Sequence, residues 1–382
     1  MHTAALVARA QAARAIPFFP YPRTFLSEED GLIAIFRDVG RRGAFILQED
    51  GRCFERNLAR FLGARHTLGV ANATDGLLMA LRAAGVRPGD EVIFSSHTMV
   101  ATAAAIHFAG AVPIPVDCGA DHLIDCDAVA AAVTPRTTIV LPTQLNGRTA
   151  DMAALARLAG RHALLIVEDA AQALGSRFRG QCASTFGAAS AISFFPAKLL
   201  GCLGDGGAVV TNDAGIAQRV AALRDHGRNA EGDIAGWGLN SRLDNLQAAI
   251  LDDRLGRYGA TLERRRALAR AYRAELAAVA EIVLPPGPSD DPDHFDVYQN
   301  YEIEAARRDE LREFLRLQRI GTILPWGGRA VHQWEALGLG RSLPATERLF
   351  ERVLLLPMHP WLSGEDIEMI GAAIRRFYGG QS

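Results

Sequence analysis

The sequence predicts an α/β protein, with a mostly parallel seven-stranded sheet in a large domain and a smaller C-terminal α+β domain. Two observations carry that prediction. Between about residues 70 and 215, short apolar runs alternate with segments of helical periodicity, the pattern of parallel strands joined by crossover helices. Beyond them, IVLPPGPSDDPDHF breaks the pattern near 284–295 with Pro, Gly and Asp, and a second, shorter set of elements follows.

Strands are expected at 67–71, 91–95, 112–116, 138–142, 164–168, 190–194 and 207–211, with helices at 75–84, 99–109 and 151–161. Apolar repeats in LDNLQAAILDDRL and ALARAYRAEL predict long helices across 243–280. The second set comprises a strand at 297–303, a helix at 308–319, an irregular stretch from Trp326 to Gln333, and a final helix at 364–377. The chain is expected to divide into an N-terminal arm (1–30), a large domain (31–260) and a small domain (261–382). The Ala- and Arg-rich first sixteen residues read as a short helix or arm.

With 382 residues, 49% of them hydrophobic and 22% charged, the chain can bury a sizeable core. A net charge of -2 offers no general attraction to nucleic acid or an anionic membrane, and no apolar run is long enough to span a bilayer. The RRR run at 264–266 reads as a solvated helix face. Cys53, Cys118, Cys126, Cys182 and Cys202 form no CxxC pair and no His/Cys metal spacing. Reduced thiols, no metal site and a cytoplasmic location are the expectation.

Of the 41 Lys and Arg residues, Lys198 is the only lysine. Arginine can replace lysine where charge or stem length suffices, but not where a primary amine must condense with a carbonyl. A sole lysine is therefore either incidental or kept for amine chemistry, and its neighbours decide between the two. Lys198 follows the apolar strand AISFF in SFFPAKLLG, so it emerges at a strand end, where such sheets bind ligands. Asp169 follows directly on another strand, LLIVE, where a carboxylate points into the ligand crevice or caps a helix over AAQAL. Gln172 lies three residues further on. Thr74, after GVANA, caps the helix beginning there, whose free N–H groups and dipole make an anion site. Ser193 lies within AISFF. An amine, an acid that keeps a pyridine nitrogen protonated, and a phosphate cradle are the requirements of pyridoxal 5'-phosphate.

Through ANATDGL, PGDEVI, TMVAT, VEDAAQALGS, ISFFPAKLLGCLGDGGAVVT, LRDHG and NSRLDNLQAAIL, the chain resembles the DegT/DnrJ/EryC1/StrS sugar aminotransferases, from about residue 45 to 360. The resemblance implies the aspartate-aminotransferase (type I) fold. It makes Lys198 the lysine that binds the cofactor covalently and shuttles the proton, Asp169 the partner of the pyridine nitrogen, and Gln172 the contact to the ring hydroxyl. Ala73, Thr74 and Ser193 would hold the phosphate, with Ala73 standing where the family commonly has glycine. Asn240 would reach the phosphate of the neighbouring subunit, which implies a homodimer with shared active sites.

Met99 takes the place of an aromatic residue stacked on the cofactor ring, and His97 beside it reads as a core histidine. Trp326 and His332 fall where relatives place substrate-cleft residues, although His226, His332 and His359 all have a structural reading as well. The implied reaction moves an amino group from L-glutamate to a keto-sugar, such as a nucleotide-linked keto-deoxyhexose, in amino-sugar biosynthesis. A free sugar acid or cyclitol ketone as acceptor, and a non-catalytic cofactor-binding sensor, are the open alternatives.

Overall fold

The computed structural model describes residues 15–379, so the arm expected over the first sixteen residues lies, for 1–14, outside the described residues. Up to residue 211 the strands are β1 (His66–Val70), β2 (Glu91–Ser95), β3 (Val112–Val116), β4 (Thr137–Leu141), β5 (Leu165–Asp169), β6 (Arg177–Phe178), β7 (Gln181–Cys182), β8 (Ala189–Ser193) and β9 (Gly207–Thr211). Seven of these form one sheet in the order β1-β9-β8-β5-β4-β2-β3. Each expected strand lies within one residue of an observed one. The sheet is parallel except for β9, which runs against both β1 and β8.

Alternate strand residues face opposite layers. Val92, Phe94, Leu141, Val167 and Val209 pack with Leu77, Leu81 and Ile106 from helices Ala73–Ala83 and Val100–Phe108. On the other face, Ile93, Val140 and Ile166 meet Leu155 and Leu158 of helix Met152–His162. Beside them, Ile192 and Val210 meet Phe54 and Leu58 of helix Glu49–Leu62. Asp125, Asp151 and Asp213 accept backbone N–H groups at the starts of their helices, and these caps place the crossovers.

Helix Tyr258–Leu276 belongs to two cores. Tyr258 and Leu262 pack with the sheet layer, whereas Leu268, Tyr272 and Leu276 pack with Ile303, Leu354 and Ile370. The second core surrounds a three-stranded sheet of β10 (Ile282–Val283), β12 (Tyr301–Ala305) and β13 (Val353–Leu356), while β11 (His294–Phe295) joins β6 and β7. The strand expected at 297–303 starts later because Tyr298 takes a left-handed φ of 52°. Ile16, 2% exposed, bridges to Ile320 and adds the N-terminal segment to this second core.

The RRR run is not a solvated face. Arg265 is buried, and Arg266 lies over the Phe295 ring while donating to the carbonyls of Asp296 and Pro288. Only Arg264 is exposed, because helix Tyr258–Leu276 is covered on two sides. Among the described residues all five cysteines are free thiols, and no helix is long and apolar enough to cross a membrane.

Candidate active site

A cavity of about 500 Å³ opens at the carboxyl ends of the parallel strands, within the size range of cofactor sites. It brings together Ala73, Thr74, Met99, Asp169, Gln172, Ser193, Lys198 and Trp326. The fold delivers two of them as strand ends: Asp169 is the last residue of β5 and Ser193 the last of β8.

Asp169 is buried. Its Oδ2 accepts from Thr102 Oγ1 at 2.7 Å and its Oδ1 from the Ala171 N–H at 3.1 Å. Thr102 in turn meets Thr98, and Thr98 meets Thr143, each at 2.9 Å. The residues after Asp169 form turns rather than the helix over AAQAL that a capping role would have started. Burial pushes its carboxyl pKa above the usual value, while the Thr102 and Ala171 bonds and the Lys198 charge oppose the rise.

Burial pushes the Lys198 amine down to about 8, against the pull of the Asp169 carboxylate. Gln299 fixes the backbone on both sides of it. The Leu199 N–H donates to Gln299 Oε1, and Gln299 Nε2 donates to the Ala197 carbonyl, both at 2.8 Å. In the cofactor-free protein, amine-directed labelling of Lys198 is expected to reach half its limiting rate near pH 8, not near 10.5. Because the folded pKa lies below the unfolded one, stability should rise as pH passes from about 8 to 10.5. Labelling that stays negligible up to pH 10 would contradict a depressed amine.

The turn expected to cradle a phosphate departs from expectation in one detail. Thr74 is not the cap: Asn72 is, its Oδ1 accepting the Asp75 N–H at 2.8 Å, with the helix starting at Ala73. Asn72 lies in extended backbone, which turns its carboxamide oxygen back to the Asp75 N–H, whereas Thr74 already lies inside the first turn. The N–H groups of Ala73 and Thr74 find no protein acceptor among the described residues and point out of the helix start. Ala73 avoids positive φ, so its methyl costs nothing there. Gly207 closes the cradle from behind, since a Cβ there would lie 2.6 Å from the Asn72 carbonyl carbon.

Gln172 Oε1 accepts from the Asn146 N–H at 3.0 Å and from Asn300 Nδ2 at 3.3 Å, leaving its own amide hydrogens to donate. Met99 lines the cavity at 47% exposure, its sulfur 3.0 Å from the Ala101 N–H. Trp326 holds a left-handed φ of 53° before two further positive-φ glycines, and its buried indole N–H has no partner. Strain of this kind persists where surrounding structure imposes it.

His332, expected in the substrate cleft, does not join the cavity, and neither does Asn240, which was expected at a partner's site. Asn240 is exposed, on a loop bridged to Asp225. His332 is buried, its Nδ1 2.7 Å from Ser96 Oγ and its Nε2 3.3 Å from Glu347. His97 is likewise a core residue: it faces Glu302 at 3.4 Å, whose charge holds the imidazole up at about 9 against the opposing effect of burial. Sequence reading missed Phe18, Phe19, Asn146, Asp205, Gln299 and Asn300, which also line the cavity. The polar pair Gln299–Asn300, heading a strand that is otherwise apolar on one face, was the available signal.

A buried carboxylate, one partly desolvated amine, a carboxamide with free hydrogens and an anion cradle backed by an obligatory glycine fit pyridoxal 5'-phosphate. Comparison with known proteins agrees. The model of the DegT/DnrJ/EryC1/StrS aminotransferase family matches residues 27–375. The chain is 40% identical to the dTDP-3-amino-3,4,6-trideoxy-alpha-D-glucose transaminase of Streptomyces venezuelae, over 97% of each chain. It is 37% identical to a pleiotropic regulatory protein of Geobacillus stearothermophilus, over 95% of this chain and 98% of that one. The crystal structure of S. venezuelae DesV in complex with a ketimine intermediate superposes with a TM-score of 0.91 at 38% identity, covering 95% of this chain and 98% of that one. The chain belongs to the DegT/DnrJ/EryC1/StrS aminotransferase family and, like its members, works with pyridoxal 5'-phosphate.

Proposed function

We propose that the protein transfers an amino group from L-glutamate to the ketone of a nucleotide-linked deoxysugar. The observation that carries this reading is the meeting of Lys198, Asp169 and the Asn72–Thr74 turn in one cavity. The sugar is argued from the substrates named for relatives such as the S. venezuelae transaminase.

When bound, pyridoxal phosphate supplies the electron sink that stabilises the carbanion left by loss of a substrate proton. Asp169 would keep the proton on the pyridine nitrogen. The turn at Ala73 and Thr74, with Ser193, would hold the phosphate, and Gln172 would donate to the ring hydroxyl. Lys198 Nζ, near half-protonation at pH 8, takes the α-proton and returns it, a contribution of roughly 10²–10⁴-fold. Trp326 forms part of the substrate wall.

The proposed division places the large domain before about residue 260 and the small domain after it, since helix Tyr258–Leu276 passes from one core to the other. The free thiols suit a cytoplasmic enzyme. A homodimer accounts for Trp237 (98% exposed) and Ile234 (61%) on the loop that ends at Asn240, because a partner would bury them and receive Asn240 at its phosphate. Mixing Lys198→Arg and Asn240→Ala protein should then restore roughly a quarter of wild-type activity, the share of intact sites in random dimers. No recovery on mixing would count against shared sites.

The regulatory relative keeps a sensor reading in view. Glutamate should shift the visible absorbance of the holoenzyme, and a panel of keto-sugars should shift it back. No shift with any amino donor would leave the sensor. Reversal only by a free sugar acid or a cyclitol ketone would move the substrate class.

A further inference from the structure

A second cavity, of about 340 Å³, shares Phe18, Phe19, Ala197, Lys198, Gln299 and Asn300 with the first. Three arginines line it. Arg254 and Arg257 both bond to Glu28, and Arg257 also to Asp253. Arg265 is different. It is only 5% exposed and has no carboxylate partner among the described residues.

Its Nη1 donates to the carbonyls of Tyr298 at 2.9 Å, Gln299 at 3.2 Å and Met358 at 2.9 Å. Neither Nε nor Nη2 has a protein acceptor among the described residues. Those two nitrogens form the side of the guanidinium that grips a carboxylate or phosphate with two parallel bonds. A buried charge without a counter-ion is costly, and an anionic ligand removes that cost. Beside it, His359 Nε2 faces the Pro17 carbonyl at 3.1 Å, so it carries the proton and leaves Nδ1 as a bare acceptor without a partner. Burial and the Arg265 charge keep this histidine uncharged at neutral pH, down at about 4. The cavity thus offers a fork for an oxyanion and, next to it, an acceptor for an N–H or O–H on the same ligand.

We propose that Arg265 seats an oxyanion of one of the two substrates in this second cavity. The inference rests on the aminotransferase reading above. The oxyanion has two possible sources: a carboxylate of the amino donor, or a phosphate of the sugar nucleotide. An amino acid and a sugar each also carry the hydrogen that His359 would accept.

Titration calorimetry of the holoenzyme with glutarate, an unreactive dicarboxylate, and with inorganic pyrophosphate tests this. Arg265→Lys keeps a charge but loses the fork, and should weaken one probe at least tenfold. Loss confined to glutarate assigns the seat to the amino donor, and loss confined to pyrophosphate assigns it to the nucleotide. Equal loss of both makes it a common seat. Because Arg265 also ties three carbonyls together, a second variant leaves it untouched. Thr261→Trp, one helical turn earlier on the same cavity wall, should block whichever probe Arg265→Lys weakens, by filling the space. Wild-type protein that binds neither probe, or both variants folded with unchanged affinities, would overturn the proposal. The measurement needs no turnover, so failure of the aminotransferase reading would show separately, as an absorbance unmoved by glutamate.

Discussion

Lys198→Arg is expected to yield a folded protein with no measurable aminotransfer. Arginine keeps the positive charge beside Asp169 but is never deprotonated in a protein, so it neither condenses with a carbonyl nor takes a proton. The loss should exceed roughly 10⁴-fold, because covalent capture and proton shuttling disappear together. Circular dichroism and the urea midpoint should change little, since the Gln299 bonds on either side are made to backbone atoms. Borohydride reduction of the wild-type holoenzyme should fix the cofactor to a single peptide, the one containing Lys198. No other lysine exists in the chain, so label found only at the N-terminal amine would end the assignment.

Asp169→Asn should be the next most severe change. The carboxamide fits the same space, and the Thr102–Thr98–Thr143 hydroxyls can reverse their donor directions to accommodate it. On the proposed reading, it removes the negative charge that would face the pyridine nitrogen. Losing one member of a buried ion pair costs about 3–5 kcal/mol, which corresponds to roughly a 10²–10⁴-fold fall in kcat. The bound cofactor's pyridine nitrogen should then lose its proton at neutral pH, detectable by nitrogen NMR of labelled cofactor. A kcat within tenfold of wild type would mean that another group holds that proton.

The sequence showed the strands because burial on both faces demands continuous apolar runs, and such runs can be read locally. It showed Lys198, Asp169 and Ser193 because each sits at or just after one of those runs, where a parallel sheet presents its ligands. Thr74 was misjudged as the cap because Asn72, two residues earlier, competes for the same N–H groups, and only the backbone geometry decides between them. The RRR run misled for a similar reason: its charge suggests solvent, but the helix is covered by two cores, and Arg265 finds carbonyls from residues far away in the chain.

By itself, then, the sequence determined the strands of a mostly parallel sheet, their ends and the amine–acid–cradle set, all of which follow from local periodicity and from chemistry that no other residue type can perform. The tertiary structure alone decided which distant side chains surround that set. Gln299 gripping both flanks of Lys198, Thr102 behind Asp169, and the unpaired fork of Arg265 depend on contacts between segments with no local pattern in common. Side-chain hydrogen bonding over such separations is set by packing, and packing exists only once the chain has folded.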